Sequence, residues 1–317
     1  MKVLILSTST NEHSLAIEKY LGNIGAEVIR FDTDKVQEGF VSVDVKSDSV
    51  TFNGRRFLSN EITSVFSHHP RISVPKDQGI DHLDWQLCQS SWINCVDWLE
   101  QIFTEARWLN KPSVCRSTSS VMLQLKMARD IGFNIPDACF TNNIDELTEF
   151  SFNHERIILK PGPLVDLFTS GQRILAHIIN PEKIKTDDKS GELKSAPCLF
   201  QGYLEKLYEL RVHVIGQDVY ACKIESQENN QTKIDWRDYD LSKTPHYPIN
   251  ISEDIADKCR KIVHRLGLNF GIIDLVVTPD NETYFLECNS QGHWLWIEYL
   301  TGLPITEAVG ASLLSPS

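Results

Sequence analysis

The sequence predicts an α/β (α+β) protein of two or three compact subdomains, and three observations carry that prediction. The chain opens as strand, helix, strand: KVLILS, an amphipathic stretch from Glu12 to Ile24, then AEVIRF. Its last third alternates in the pattern of a mostly antiparallel sheet. Its 317 residues exceed what one minimal core needs, and 41% apolar with 9% aromatic composition supplies material for more than one.

The opening unit looks like half of a doubly wound nucleotide fold, but the turn STSTNEHS after the first strand has no glycine. The close backbone approach that a dinucleotide pyrophosphate requires is therefore missing, and an NAD reading is rejected. VSVDV and VTFNG follow as strands, with Asn53-Gly54 as a hairpin turn, then ITSVFSHH and a long helix carrying Trp85, Trp92, Trp98 and Phe103. The tryptophans read as core. His68 and His69 invite a metal reading, but neighbours on a strand point to opposite faces and would not share one ion; a structural or substrate-facing role is expected.

From SSVMLQLKMARDIGFNIPDACFT the pattern becomes helix, glycine stop, proline and short strand, which marks a domain start near residue 116. RIILKP and RILAHII read as paired strands, with the charged connector Asn180 to Pro197 after them. CLFQGYL, YELRVHVIG and DVYACKIES read as successive strands, the last two turned at Gly216-Gln217. The helix SEDIADKCRKIVHRLG separates these from GIIDLVV and TYFLECN, which TPDNE joins as a hairpin.

Bulk properties exclude several functions. A formal charge of −12 argues against a nucleic-acid or anionic-membrane surface as partner. No apolar run approaches the roughly 20 residues of a membrane span. The eight cysteines include no CxxC pair and mostly sit in apolar segments, as reduced thiols of a cytoplasmic protein would, with neither a zinc site nor a disulfide frame.

The chemistry concentrates near the C-terminus. Glu287 and Asn289 lie two apart on a strand and so share a face, while Asp274 sits midway along the expected partner strand. Three oxygen ligands, two of them anionic, suit Mg²⁺ that also binds substrate phosphates. An Asp within a strand followed by an E-x-N also occurs where no metal binds. The surroundings favour the metal, because Lys160 and Arg211 fall on apolar strands where a lone cation would be expensive without an anion, and Glu209 precedes Arg211 on the same face. Either cation could instead pair with a core carboxylate; the whole set in this order favours phosphoryl transfer.

Lys160 in a strand, FQGYL, ELRVHVIG, DWR at Asp235 to Arg237, GIIDLVV and FLECNSQG follow the order of motifs in the ATP-grasp superfamily, which the chain resembles. More narrowly, QLKMARDIGFNIP, LYELRVHVIGQDVYACKIESQ, DWRDYD and HWLWIEYLTGLPI are similar to the microviridin-type peptide ligases, or graspetide synthetases, over roughly residues 107 to 310. The resemblance implies a Rossmann-like pre-ATP-grasp domain (1–115), a central subdomain (116–200) and a mostly antiparallel C-terminal subdomain (201–317) with the metal site. It implies ATP and Mg²⁺, with Asp274, Glu287 and Asn289 on the metal, Lys160 and Glu209 toward the nucleotide, and Gln201, Tyr203 and Leu204 lining the adenine pocket. Arg211 and Arg237 would stabilise the transferring phosphoryl and the acyl phosphate.

The activity implied is ATP-dependent activation of an Asp or Glu side chain in a ribosomal precursor peptide, made of a leader and an acidic, Thr-rich core. Thr, Ser or Lys of the same peptide would then close a macrolactone or macrolactam. A homodimer is implied too, with leader contacts at Asn180 to Pro197. A ligase joining an amino acid to a small-molecule or protein carboxylate shares these nucleotide residues, and a non-catalytic ATP-binding module shares most. The chain departs from the pattern at Val121, where relatives carry a phosphate-binding lysine for which Lys126 could substitute. It departs again in the glycine-poor loop PGPLVDLFTSGQR and in VFSHHPRI, which keeps only Arg71 of an aromatic and two arginines. Trp294 and Trp296 read as packing or as walls of the acceptor pocket, and His293 as a candidate base.

Overall fold

The computed structural model describes residues 1–75, 80–160, 177–179, 193–228 and 244–315. The N-terminal part runs β1 (Lys2–Ser7), α1 (Glu12–Asn23), β2 (Glu27–Asp32), β3 (Val41–Asp44), β4 (Ser49–Phe52), β5 (Arg55–Leu58), β6 (Ser64–His68), α2 (His82–Ile102) and β7 (Arg107–Leu109). Its main sheet is parallel, in the order β2-β1-β6-β7. Val3 to Ser7 of β1 are buried, as expected of a central strand covered on both faces. The strands β3, β4 and β5 form a separate antiparallel sheet turned at Asn53-Gly54.

Two expectations for this part fail. The tryptophans of α2 are not core: Trp85 and Trp92 are half-buried and Trp98 is 47% exposed, while Val96, Leu99 and Ile102 are buried. At about 100° per residue, Trp98 lies some 200° round the helix from Val96. Trp85 reaches the segment after β6, where its Nε1 donates to Val74 O at 2.8 Å, and its ring stacks on that of His82, centroids 6.1 Å apart. The histidines, in turn, do not diverge. The strand ends at His68, and His69 takes a positive φ of 46° that brings its ring edge-on to that of His68, centroids 4.7 Å apart.

Next come α3 (Pro112–Ser117), α4 (Val121–Ile131), β8 (Ala138–Thr141), α5 (Ile144–Ser151), β9 (Ile157–Lys160), β10 (His177–Ile179) and β11 (Cys198–Gly202). Gly132, at φ 98°, caps α4 in the left-handed conformation that glycine adopts without strain. The central sheet has the order β10-β9-β11-β8 with antiparallel pairs. CLFQG therefore does not extend the C-terminal sheet, as its place before YELRVHVIG suggests. It pairs with β8 and β9, and the irregular segment from Tyr203 to Leu207 carries the chain across.

The C-terminal part comprises β12 (Tyr208–Ile215), β13 (Asp218–Ile224), β14 (His246–Ile249), α6 (Glu253–Arg265), β15 (Phe270–Val277), β16 (Thr283–Asn289), α7 (Leu295–Thr301) and α8 (Ile305–Leu314). Its sheet, β14-β13-β12-β15-β16, is antiparallel throughout. One face packs on α4 and α6 through Leu125, Ala128, Ile262, Val263, Val212 and Ile273. The opposite face shares a core with the first sheet: Phe270 and Ile272 join Trp294, Ile297, Phe66 and Ile17. That shared core sets the end of β6 against the turn that follows β16.

Candidate active site

The register of the C-terminal sheet assembles the carboxylates. Arg211 of β12 stands opposite Asp274 of β15, which stands opposite Glu287 of β16, so all three side chains leave one face. Asn289, two residues beyond Glu287, shares that face. A register shift between Asp274 and Leu275 interrupts the ladder beside Asp274. Asn289 Nδ2 lies 3.1 Å from Asp274 Oδ2 and 3.3 Å from Glu287 Oε1, so the three side chains converge. A donor set of two carboxylates and a carboxamide, all oxygen, fits a hard divalent cation such as Mg²⁺.

Arg211 is only 5% exposed and Asp274 6%. Arg211 Nη1 donates to Asp274 Oδ1 at 2.8 Å and Oδ2 at 3.2 Å, and Nη2 to His293 O at 3.2 Å. The guanidinium also sits 5.7 Å from the centre of the Trp296 ring. Two tryptophans with similar sequence surroundings thus part company. Trp294 is fully buried, its Nε1 on Thr306 Oγ1 at 3.1 Å, whereas Trp296 borders Arg211 and donates to His293 O.

On the central sheet, Lys160 faces Leu199 and Gln201 faces Ile158 across β9 and β11, which puts Lys160 and Gln201 on one face. Gln201 is 2% exposed, and its Nε2 has no hydrogen-bond partner among the described residues, an orphan donor of the kind a bound heterocycle satisfies. The N–H groups of Gly202 and Tyr203 are engaged with Asp137 O and Arg156 O, and the Arg156 guanidinium covers the Tyr203 ring at 3.9 Å. Leu204 is half-buried in the crossing segment. Glu209 gains a partner that sequence reading missed: Lys206 Nζ lies 3.0 Å from its Oε1, with side chains 7% and 4% exposed. Val121, the first residue of α4, packs against the core, and Lys126 on the same helix is exposed. Arg237, the loop after Lys160 and residues 180–192 of the connector lie outside the described residues.

Beside Arg211 four imidazoles meet. His13 of α1 lies 4.8 Å from His68 and 4.7 Å from His293 between ring centroids, and His69 lies 5.2 Å from His293. All are held neutral. Burial, then His293, His69 and Arg211, lowers His13 to about 3. Burial, then His293, lowers His69 to about 4, and burial puts His68 well below its ordinary value. His293 shifts the same way, first by partial burial, then by Arg211 and Arg71, against a smaller opposing effect of Glu12. Among the described residues no three His, Cys, Asp or Glu side chains are arranged to hold a metal ion, these histidines included. All eight cysteines are free.

No protein-family model matches the chain, and no curated protein does. Solved structures do. An ATP-grasp ligase from Chryseobacterium gregarium, associated with ribosomally synthesised and post-translationally modified peptides (RiPPs) and solved with ADP and a leader and core peptide, is 28% identical. The alignment covers 99% of this chain and 96% of that one, at a TM-score of 0.89. The macrocyclase MdnC of Microcystis aeruginosa MRC, bound with precursor peptide MdnA, is 23% identical, with 99% of each chain covered and a TM-score of 0.85. The ATP-grasp ligase PsnB, complexed with a phosphomimetic minimal precursor, Mg and ADP, is 19% identical over 99% of this chain and 97% of that one, at a TM-score of 0.79. Along its whole length the chain shares the ATP-grasp fold of these RiPP-associated ligases.

Proposed function

We propose that the protein uses ATP and Mg²⁺ to activate an Asp or Glu side chain of a ribosomal precursor peptide as an acyl phosphate, then closes a macrolactone or macrolactam on it. The observation that carries this reading is the convergence of Asp274, Glu287 and Asn289 beside a buried Arg211, in a fold shared along its length with a RiPP-associated ligase. In the first step a peptide carboxylate oxygen attacks the γ-phosphorus of ATP and ADP leaves. In the second, a Thr or Ser hydroxyl, or a Lys amine, attacks the acyl carbon. Phosphate departs, the nucleophile gives up a proton, and the peptide is lighter by one water.

Asp274, Glu287 and Asn289 would hold the Mg²⁺, which supplies charge neutralisation on the phosphates when bound. Arg211 holds the Asp274 carboxylate in place and brings a second positive charge to the transferring phosphoryl group. Arg237 would share that task. Lys160 reaches the phosphates from the central sheet, while Leu204, Tyr203 and the unpartnered Gln201 amide line the base; Glu209, with Lys206, addresses the ribose side. Trp296 and the exposed Tyr299, 89% accessible, border the acceptor side. We divide the chain at 1–115, 116–200 and 201–317, a division supported by the separate sheets and qualified by α4, which packs on the C-terminal one. We further place it in the cytoplasm as a homodimer, with free thiols supporting the first.

The test is the intact mass of a precursor peptide encoded beside the gene, incubated with the protein, ATP and Mg²⁺, in parallel with Glu287→Gln. Loss of whole waters and release of ADP with the wild type only is the expected result. An unchanged peptide mass despite nucleotide binding would transfer the activity to another carboxylate acceptor.

A further inference from the structure

Asn289 is the last residue of β16. A ligand at a strand's end has no ladder beyond it and would fray unless something else fixed the following turn. Here the main chain from Cys288 to His293 is held almost carbonyl by carbonyl from other elements. Gln124 Nε2 of α4 donates to Cys288 O at 2.9 Å and Gln124 Oε1 accepts from Cys288 N at 2.8 Å. Asn110 Nδ2, just past β7, donates to Ser290 O at 2.8 Å. His69 Nε2 reaches Gln291 O at 2.7 Å, His68 Nε2 reaches Gly292 O at 3.4 Å, and Arg211 Nη2 reaches His293 O at 3.2 Å.

We propose that Gln124, Asn110, His69 and His68 are positioning residues for the metal ligands: side chains of the N-terminal part and α4 clamp the turn after β16 and so fix Glu287 and Asn289 opposite Asp274. The inference rests on the ligase reading above and goes beyond it in assigning the residues that hold the ligand set.

Three details make the clamp specific. Asn110 also ties this turn to the other ligand strand, since its Nδ2 donates to Phe270 O at 2.7 Å and its Oδ1 accepts from Asn269 N and Phe270 N at 2.8 and 3.1 Å. One carboxamide thereby fixes the start of β15, which carries Asp274, relative to the end of β16. The donor sense of His68 is set from the glycine-free turn after β1. Asn11 caps α1 by accepting from Ser14 N at 2.9 Å, which turns its Nδ2 toward His68 Nδ1 at 3.1 Å. An amide N–H can only donate, so Nδ1 accepts and the hydrogen of the neutral ring sits on Nε2, facing Gly292 O. Gly292 is required in the same turn because a Cβ there would fall 2.7 Å from Ile272 Cδ1.

The test is calorimetric titration of ADP into the whole protein across a range of Mg²⁺ concentrations. Partners that orient metal ligands typically account for 10- to 100-fold in metal affinity. His69→Leu, which keeps bulk and removes the donor, should raise the Mg²⁺ needed for half-maximal enhancement of ADP binding by about tenfold or more, with metal-free ADP binding unchanged. His69→Gln, whose amide can still donate to Gln291 O, should restore the wild-type Mg²⁺ dependence. Gln124→Met carries the same test should His69→Leu not fold. Wild-type Mg²⁺ dependence in the folded variants would overturn the clamp while leaving the ligase reading intact. No Mg²⁺-dependent ADP binding by the wild type would overturn both.

Discussion

Acidification from pH 7 to pH 5 should destabilise the protein by about 4 kcal/mol through His13 and His69 alone. Burial and neighbouring charge lower His13 to about 3 and His69 to about 4, against roughly 6.5 in an unfolded chain. A histidine with a depressed folded-state value contributes its full stability above about pH 6.5. As the pH falls below that, the unfolded chain takes up a proton that the folded one refuses, and stability drops until the folded value is reached. At pH 5 the gap is about 1.5 units for each group, or about 2 kcal/mol. His68, also pushed well down by burial, and His213, buried and lowered to about 3, act in the same direction. Carboxylates such as Glu61, held low by its hydrogen bond from Lys2, titrate at still lower pH and leave this window to the histidines.

Urea unfolding followed by tryptophan fluorescence at the two pH values measures the effect. In His13→Phe an aromatic ring still fills the space against His68 and Trp294, at present 4.8 and 4.2 Å from His13. No proton can be taken up there, and the pH-dependent loss should shrink by about 2 kcal/mol. Equal unfolding free energies at pH 7 and pH 5 would refute the reasoning, as would a variant that retains the whole loss.

Two further outcomes follow from the site. Arg211→Met removes the cation paired with the Asp274 carboxylate, 6% exposed, and should cost about 3–5 kcal/mol of unfolding free energy, with recovery in Arg211→Met/Asp274→Leu; a loss below about 1 kcal/mol would mean that the pair behaves as a surface bridge. Gly292→Ala forces its Cβ into Ile272 and should lower stability by about 1–3 kcal/mol, read as a fall in Tm that Ile272→Val relieves in part.

The sequence exposed those parts of the site that depend on local rules. Alternation along TYFLECN places Glu287 and Asn289 on one face whatever the fold around them, and TPDNE folds that strand back beside the one bearing Asp274, as observed. Lys160 and Gln201 were legible as strand residues, though their common face needed the pairing of β9 with β11, which no local signal gives. Lys206 went unnoticed because it lies in the irregular crossing, where neither strand nor helix periodicity sets the direction of its side chain toward Glu209, three residues on. Asn110 lies 160 residues before Phe270, with which it bonds; nothing in Leu109-Asn110-Lys111 announces it.

By itself the sequence determined the opening strand, helix, strand unit, the strands YELRVHVIG, DVYACKIES, GIIDLVV and TYFLECN, and the shared face of Glu287 and Asn289 at the end of the last, because periods of two and 3.6 residues and turn chemistry act over a few residues. Only the tertiary structure decided that His13, His68, His69 and His293 meet, that Arg211 pairs with Asp274, and that side chains far apart in sequence grip the turn after Asn289. Those contacts follow from packing the C-terminal sheet against the first one, where a shared apolar core sets the distance between chain segments that sequence order leaves free.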